Sequence, residues 1–328
     1  MASRETQNPE TTRRRLESQV SEGLAHLIAA LDSESAGDVI SNGDGNFVLV
    51  RGIGWRGVGE RTSDTSRERT LKSIASLLGE SLTPDRPALA GKIEHLGIRV
   101  QGAIPPLSPS PEIALRRPPE KVFSIGDFEC RGFEAALRSA LFHRKTILIV
   151  GSTGSGKTRF AEVLINILRE CFPEAHLLLL EDASEIRSRF ALTSARRVVP
   201  PSTLRALVFQ GMRLNPTFIV IGEVRGPEAY DLLKAWSTGH PGGVTTIHAS
   251  SARGALSRIG QLVLEAGVPS QNALIGEVVD LVVHLVRERD VPAINEVIYV
   301  HGWDATTQEY VVQPLSPECR IGPDGPEE

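Results

Sequence analysis

Apolar positions along the chain change their period near its middle. Leu16, Val20, Leu24, Leu27, Ile28 and Leu31 recur at helical spacing, which predicts an amphipathic helix over Leu16–Leu31. Leu71, Ile74, Leu77 and Leu78 share one face of a second predicted helix over Ser66–Leu78. Between them, Ser41-Asn42-Gly43-Asp44-Gly45 has turn chemistry and leads into Phe47-Val48-Leu49-Val50, which reads as a strand. Beyond Thr146 the pattern becomes one of continuous apolar runs: Thr146-Ile147-Leu148-Ile149-Val150, Leu177–Leu180 and Phe218-Ile219-Val220-Ile221. A helical stripe of Phe160, Val163, Leu164, Ile167 and Leu168 separates the first two. Strands that are apolar on both faces and alternate with helices predict a parallel sheet covered on both sides.

Between these regions lie Pro105, Pro106, Pro109, Pro111, Pro118 and Pro119. Proline donates no ladder hydrogen bond and breaks helices, so residues 105–120 are expected to be a linker. The expected organisation is then a smaller α+β domain over 16–104 and an α/β domain over 121–315, with disordered tails at 1–15 and 316–328. A length of 328 residues fits two domains of roughly 150 residues each.

Composition removes several function classes. Hydrophobic residues make up 41% and charged residues 23%, which is ordinary for a folded chain and excludes disorder throughout. Lys plus Arg total 36 against 40 Asp plus Glu, so no whole-chain basic field exists and direct sequence-specific nucleic-acid binding is not expected. Cys130, Cys171 and Cys319 are scattered, which excludes a four-cysteine zinc site and a disulfide framework and fits a reducing compartment. No apolar run reaches the about 18 residues of a membrane span, so a cytoplasmic chain, at most peripheral at a membrane, is expected. Arg13-Arg14-Arg15 offers a contact for anionic lipid, against the plainer reading of a solvated charge run.

The strongest chemical signal is Gly151-Ser152-Thr153-Gly154-Ser155-Gly156-Lys157-Thr158, a full P-loop pattern between a predicted strand and a predicted helix. Its glycines let the backbone wrap phosphates, and its N–H groups with the helix N-terminus favour an anion. Lys157 would neutralise the β- and γ-phosphates of ATP, and the Thr158 hydroxyl would ligate Mg²⁺. Two further strands end in acids, Leu180-Glu181-Asp182 and Ile221-Gly222-Glu223, where ligands bind in parallel sheets. A fourth short strand, Val244-Thr245-Thr246-Ile247, ends in His248, whose imidazole would point at the γ-phosphate region; His240 has a weaker claim. Any one strand-ending acid or lone histidine is more often structural, so it is their coincidence beside a P-loop that carries weight.

These segments occur in the order P-loop, Leu180-Glu181-Asp182-Ala183-Ser184-Glu185-Ile186, Ile221-Gly222-Glu223-Val224-Arg225-Gly226-Pro227-Glu228-Ala229 and Thr245-Thr246-Ile247-His248-Ala249-Ser250-Ser251-Ala252. That series resembles the Walker A, Asp box, Walker B and His box of the type II/IV secretion traffic ATPases. Leu232–Gly243, with Gly91–Gly102 and Ala114–Pro118 upstream, is similar to their conjugal-transfer TrbB-like branch. The resemblance implies a P-loop NTPase (RecA-like) C-terminal domain behind a smaller N-terminal domain, assembled as a homo-hexamer that hydrolyses ATP with Mg²⁺. It also implies other type IV secretion or mating-pore subunits as partners, at the cytoplasmic side of the inner membrane.

Residue by residue, the resemblance makes Glu223 the acid that positions water or supports Mg²⁺, Glu181 its rival as base, and His248 the γ-phosphate contact. Arg99 and Arg116 would be N-terminal arginines that reach phosphates. Where relatives carry an Arg-Pro-Asp-Arg run, this chain has Asn215-Pro216-Thr217-Phe218, which leaves Arg213 as the candidate arginine there. Three other readings stay open: a nucleic-acid-stimulated RecA-like motor, a small-molecule kinase, and a nucleotide-gated scaffold with weak hydrolysis.

Overall fold

A computed structural model describes residues 9–33, 36–50, 53–117, 123–182, 185–199, 201–289 and 291–327. The chain divides into two compact units, with the division at residues 121–122.

The N-terminal unit runs α1 (Pro9–Ser33), β1 (Asp38–Ser41), β2 (Asn46–Val50), β3 (Gly54–Gly57), α2 (Asp64–Leu78), β4 (Ala88–Ile93), β5 (Ile98–Ala103) and β6 (Glu112–Arg116). Its strands form one antiparallel sheet in the order β3-β2-β1-β6-β5-β4. Val39, Val48, Leu89, Val100, Ile113 and Leu115 bury one face of it in a core with Leu24, Leu27 and Leu31 of α1 and Leu71 and Ile74 of α2. Ser63 caps α2 by accepting from the Ser66 N–H, and Gly79, at φ +74°, ends it by returning its own N–H to the last turn.

Two expectations are corrected here. Helix α1 begins at Pro9, so residues 9–15 are helical rather than tail; Glu10 complements the first turn and Arg13 pairs with Glu17 at 3.1 Å one turn on. The expected linker contains β6, which lies between β1 and β5 and is therefore a central strand. The prolines stop at Pro111 and resume at Pro118, and between them Ile113 and Leu115 alternate into the core. Arg67, fully buried on α2, secures the entry to β6 by donating to the Pro111 carbonyl at 2.6 Å, and also to the Thr62 carbonyl and Asp64. Residues 1–8 of the expected tail and 118–122 around the expected linker's end lie outside the described residues.

The C-terminal unit runs α3 (Glu134–Phe142), β7 (Ile147–Val150), α4 (Lys157–Cys171), β8 (His176–Glu181), β9 (Leu192–Arg197), α5 (Leu204–Met212), β10 (Phe218–Ile221), α6 (Glu228–Ser237), β11 (Val244–Ile247), α7 (Ala252–Leu264), α8 (Asn272–Val278), β12 (Leu281–Glu288), β13 (Val291–Asp304), β14 (Glu309–Pro314), β15 (Arg320–Gly322) and β16 (Gly325–Glu327). Eight strands form one sheet in the order β14-β13-β12-β7-β11-β10-β8-β9, parallel from β12 to β9. One face packs on α3 and α4 through Phe160, Leu164 and Leu168; the other packs on α5 to α8 through Val208, Leu232, Trp236 and Leu256. Each such side chain contributes roughly 1.5–3 kcal/mol when fully buried.

The expected C-terminal tail is also corrected, because β15 and β16 pair as a hairpin. Ile321 is buried in the α3 side of the core, and its N–H donates to Ser139 Oγ at 2.8 Å. Among the described residues no helix is long and apolar enough to cross a membrane.

Since β6 is central, an N-terminal fragment ending at Arg117 should fold cooperatively, whereas one ending at Ile104 should not. Circular dichroism melts of the two fragments decide this, and a cooperative transition in the shorter one would restore residues 105–120 as a linker.

Candidate active site

Parallel pairing brings the ends of β7, β11, β10 and β8 to one edge of the sheet: Val150 pairs with Ile247, and Ile221 pairs with Leu180 and with Thr245, two residues before Ile247. The loop leaving β7 needs glycine at two positions. A Cβ on Gly151, at φ +153°, would collide with the Leu285 carbonyl oxygen of β12. Gly156, at φ +100°, packs against Pro292 and turns the chain into α4.

Lys157 opens α4 and is only 7% exposed. Its Nζ donates to the Gly151 and Ser152 carbonyls, both at 2.9 Å, and lies 3.2 Å from His248 Nδ1. An ammonium only donates, so His248 Nδ1 accepts and the ring's single proton sits on Nε2. Burial first, and the Lys157 charge second, push the His248 pKa below its ordinary 6.5 and keep the ring neutral. Burial likewise lowers the Lys157 pKa.

His248 Nε2 lies 2.7 Å from Glu223 Oε1, but among the described residues no donor is aligned on that buried oxygen. The other oxygen, Oε2, accepts from Arg225 Nη2 at 2.6 Å. The backbone after β10 is stitched to β11: Val224 N–H donates to the Thr246 carbonyl at 2.9 Å, and Thr246 Oγ1 donates to the Gly222 carbonyl at 2.9 Å. Glu223 is thereby fixed opposite Lys157 and His248.

Glu181 stands at the same edge, but its carboxylate is engaged differently. It is 6% exposed, and Oε1 accepts the N–H groups of Glu185 at 2.9 Å and Ile186 at 3.0 Å. That oxygen shapes the 185–186 backbone. Asp182 lies 4.0 Å from Arg225, and burial raises its pKa.

The other P-loop positions, Ser152, Thr153, Gly154 and Ser155, wrap the space in front of α4. Ser155 Oγ is buried with no hydrogen-bond partner among the described residues. Thr158 is half-buried on the first turn of α4, and its hydroxyl is of a type that would fit one position around a Mg²⁺ otherwise held by phosphate oxygens. The donor set fits that ion.

Arg213 is not brought to this edge. It is exposed at the C-terminus of α5, ahead of β10, and its guanidinium stacks 5.1 Å from the Phe209 ring. A residue that precedes a parallel strand lies at the opposite edge from the residue that comes after it, so Arg213 is excluded from its own chain's P-loop. His240 is at that far edge too, 2.7 Å from the Pro216 carbonyl.

Arg99 and Arg116 belong to the N-terminal unit and are direct partners on β5 and β6. Register continues the row to Lys92 on β4 and Asp38 on β1, so all four share one face of that sheet. Arg116 pairs with Asp38 at 2.7 Å, which offsets the repulsion of two adjacent guanidinium groups.

Sequence reasoning assigned no role to Arg225, Glu228 or Arg287. Arg225 and Glu228 lie inside the segment that resembles a Walker B motif. Arg287 becomes visible only through strand pairing: β12 runs beside β7 with His284 opposite Val150, and Arg287 then donates to the Gly154 carbonyl at 2.7 Å.

Fold and site together define a P-loop NTPase of RecA-like architecture preceded by a smaller α+β domain. The chain belongs to the type II/IV secretion system protein family, whose pattern matches residues 75–319. It is 35% identical over 283 residues to the conjugal transfer protein TrbB of Rhizobium radiobacter, covering 84% of this chain and 87% of that one. It is 28% identical over 269 residues to the type IV secretion system protein PtlH of Bordetella pertussis, covering 69% and 78%. Among solved structures, the pilus retraction motor PilT with bound ADP superposes with a TM-score of 0.61 over 89% of this chain and 82% of that one, at 17% identity. That likeness concerns the fold alone.

The Lys157 contact makes a testable statement about His248. An NMR titration should place its imidazole below pH 6.5, and Lys157→Met should move it upward. Because the folded pKa lies below the unfolded one, the stability this ring contributes is full above the unfolded value and falls as pH drops through it. An unchanged titration in Lys157→Met would show that the two groups are not in contact.

Proposed function

We propose that this chain binds ATP with Mg²⁺ and hydrolyses it to drive a conjugative type IV secretion apparatus, in pilus assembly or substrate transfer. It would work as a homo-hexamer at the cytoplasmic face of the inner membrane, beside other mating-pore subunits. The observation that carries the reading is the line Lys157–His248–Glu223 at one sheet edge, with a glycine-bound cradle on one side and a buried, undonated carboxylate oxygen on the other.

Lys157 satisfies its desolvated charge with loop carbonyls and His248. Phosphate oxygens are stronger acceptors for an ammonium, so entry of the triphosphate exchanges these contacts for charge-assisted ones. Lys157 then sits on the β- and γ-phosphates, and the P-loop N–H groups hold the rest. Thr158 and Glu223 would help to hold a Mg²⁺ that arrives with the nucleotide, and the ion would supply charge neutralisation for the phosphates. Neutral His248, released from Lys157, turns its Nε2–H from Glu223 Oε1 to a γ-phosphate oxygen, which frees Oε1 for the attacking water. Glu223 Oε1 accepts a hydrogen bond from the attacking water and orients it in line with the leaving oxygen.

Three further assignments complete the proposal, the arginines near the nucleotide carried by family resemblance and the lipid contact by charge. Arg99 and Arg116 supply positive charge to nucleotide phosphates during turnover. Arg213 acts on a nucleotide held by another copy, because its own lies across the sheet. Arg13, Arg14 and Arg15, exposed on α1, supply the charge for contact with anionic lipid.

Glu223→Gln should bind ATP normally and hydrolyse it about 10²–10⁴-fold more slowly, the usual worth of a positioned base. Glu181→Gln should be mild, because an amide oxygen still accepts from Glu185 and Ile186. Steady-state phosphate release from the two variants checks this, and the reverse ranking would make Glu181 the base.

A further inference from the structure

The geometry points to Glu228 as the positioning residue that sets where Glu223 stands, an inference that rests on the hydrolysis reading above. Glu228 is the first residue of α6 and is 7% exposed, although it is acidic. Its Oε1 accepts two backbone N–H groups, Arg225 at 2.7 Å and Gly226 at 2.9 Å. A single buried carboxylate oxygen therefore closes the turn that leads from β10 into α6. Space there is tight: a Cβ on Gly226 would come within 3.2 Å of Glu228 Oε2.

What the turn fixes is the direction of Arg225. With its backbone N–H held by Glu228, Arg225 carries its guanidinium back to Glu223 Oε2 at 2.6 Å. Glu223 Oε1 is then left facing His248 and without an aligned donor. The line of action runs from Glu228 to the Arg225 backbone, from the Arg225 side chain to one Glu223 oxygen, and so to the orientation of the other. Glu228 therefore acts through the turn. Backbone N–H groups facing a carboxylate oxygen in a buried turn form strong, short hydrogen bonds. Losing the acceptor would leave two N–H groups unsatisfied and let the turn relax away from β10.

The plainer role for an acid at the first position of a helix is to complement the helix dipole. Reach and charge separate the two. Glu228→Asp keeps the charge at the start of α6 but withdraws the oxygen from the turn by one methylene. Glu228→Gln removes the charge but keeps an oxygen that reaches both N–H groups.

The experiment compares the full-length chain with Glu228→Asp, Glu228→Gln and Glu223→Gln. It measures kcat and KM for ATP with Mg²⁺, and amide hydrogen exchange at Arg225 and Gly226. Glu228→Asp should lose about 10²-fold in kcat, the cost of displacing a catalytic group by about 1 Å, with little change in KM. It should also exchange those two amides faster, whereas Glu228→Gln keeps most of kcat and the protection. Full activity in Glu228→Asp with loss in Glu228→Gln would assign the residue to the helix dipole and overturn the inference. A change confined to KM, or equal losses in both variants, would overturn it as well. If the unsubstituted chain releases no phosphate, the hydrolysis reading fails instead, and amide protection alone then decides whether Glu228 holds the turn.

Discussion

A buried ammonium is tolerated only where acceptors surround it, and the site is organised by how that need is met at Lys157. The lysine cannot retreat to solvent, because α4 holds it behind the loop that β7 feeds. Its acceptors are two loop carbonyls and one imidazole nitrogen. That single demand fixes the loop's inward-facing carbonyls, the tautomer of His248 and, through Nε2, the side of the ring that meets Glu223. All three acceptors are replaceable by a phosphate. On the hydrolysis reading proposed above, a phosphate displaces these weaker partners, and each displaced partner changes what it touches next.

The parallel sheet makes this possible. A strand contributes to the site through its C-terminal end and the loop beyond it, and four strands end at one edge. The residues that act at that edge come from four loops separated by long stretches of sequence: the P-loop, the Glu181 loop, the Glu223 turn and the His248 turn. The same rule separates Arg213 and His240 from them, since each precedes its strand. In the N-terminal unit an antiparallel sheet does something different. It lines up Lys92, Arg99, Arg116 and Asp38 across four strands on one face, a row that no segment of sequence contains.

Much of this was legible in the sequence. The buried strands Ile147–Val150, Leu177–Leu180 and Phe218–Ile221 stand out as unbroken apolar runs, and the P-loop and its neighbours carry motifs tied to their positions. What was not legible has physical reasons. Strand β6 was hidden by flanking prolines, since proline density says that the chain breaks nearby and not where the breaks fall. The β15–β16 hairpin was hidden in a Pro/Gly-rich segment whose only strong apolar anchor is Ile321. Glu181 and Glu223 look alike as strand-ending acids; only hydrogen bonding tells them apart, one oxygen of Glu181 being spent on two backbone N–H groups. Arg287 depends on β12 lying beside β7, a pairing between elements far apart in the chain.

The most direct measurement is phosphate release from ATP by the purified full-length chain and by Lys157→Ala, each with and without Mg²⁺. Mg²⁺-dependent turnover is expected in the unsubstituted chain and none in the variant, because the phosphates lose the cation that the loop was built to deliver. Turnover at the same rate in Lys157→Ala would contradict this, since the anion would then be bound and activated somewhere other than the edge where Lys157, His248 and Glu223 converge.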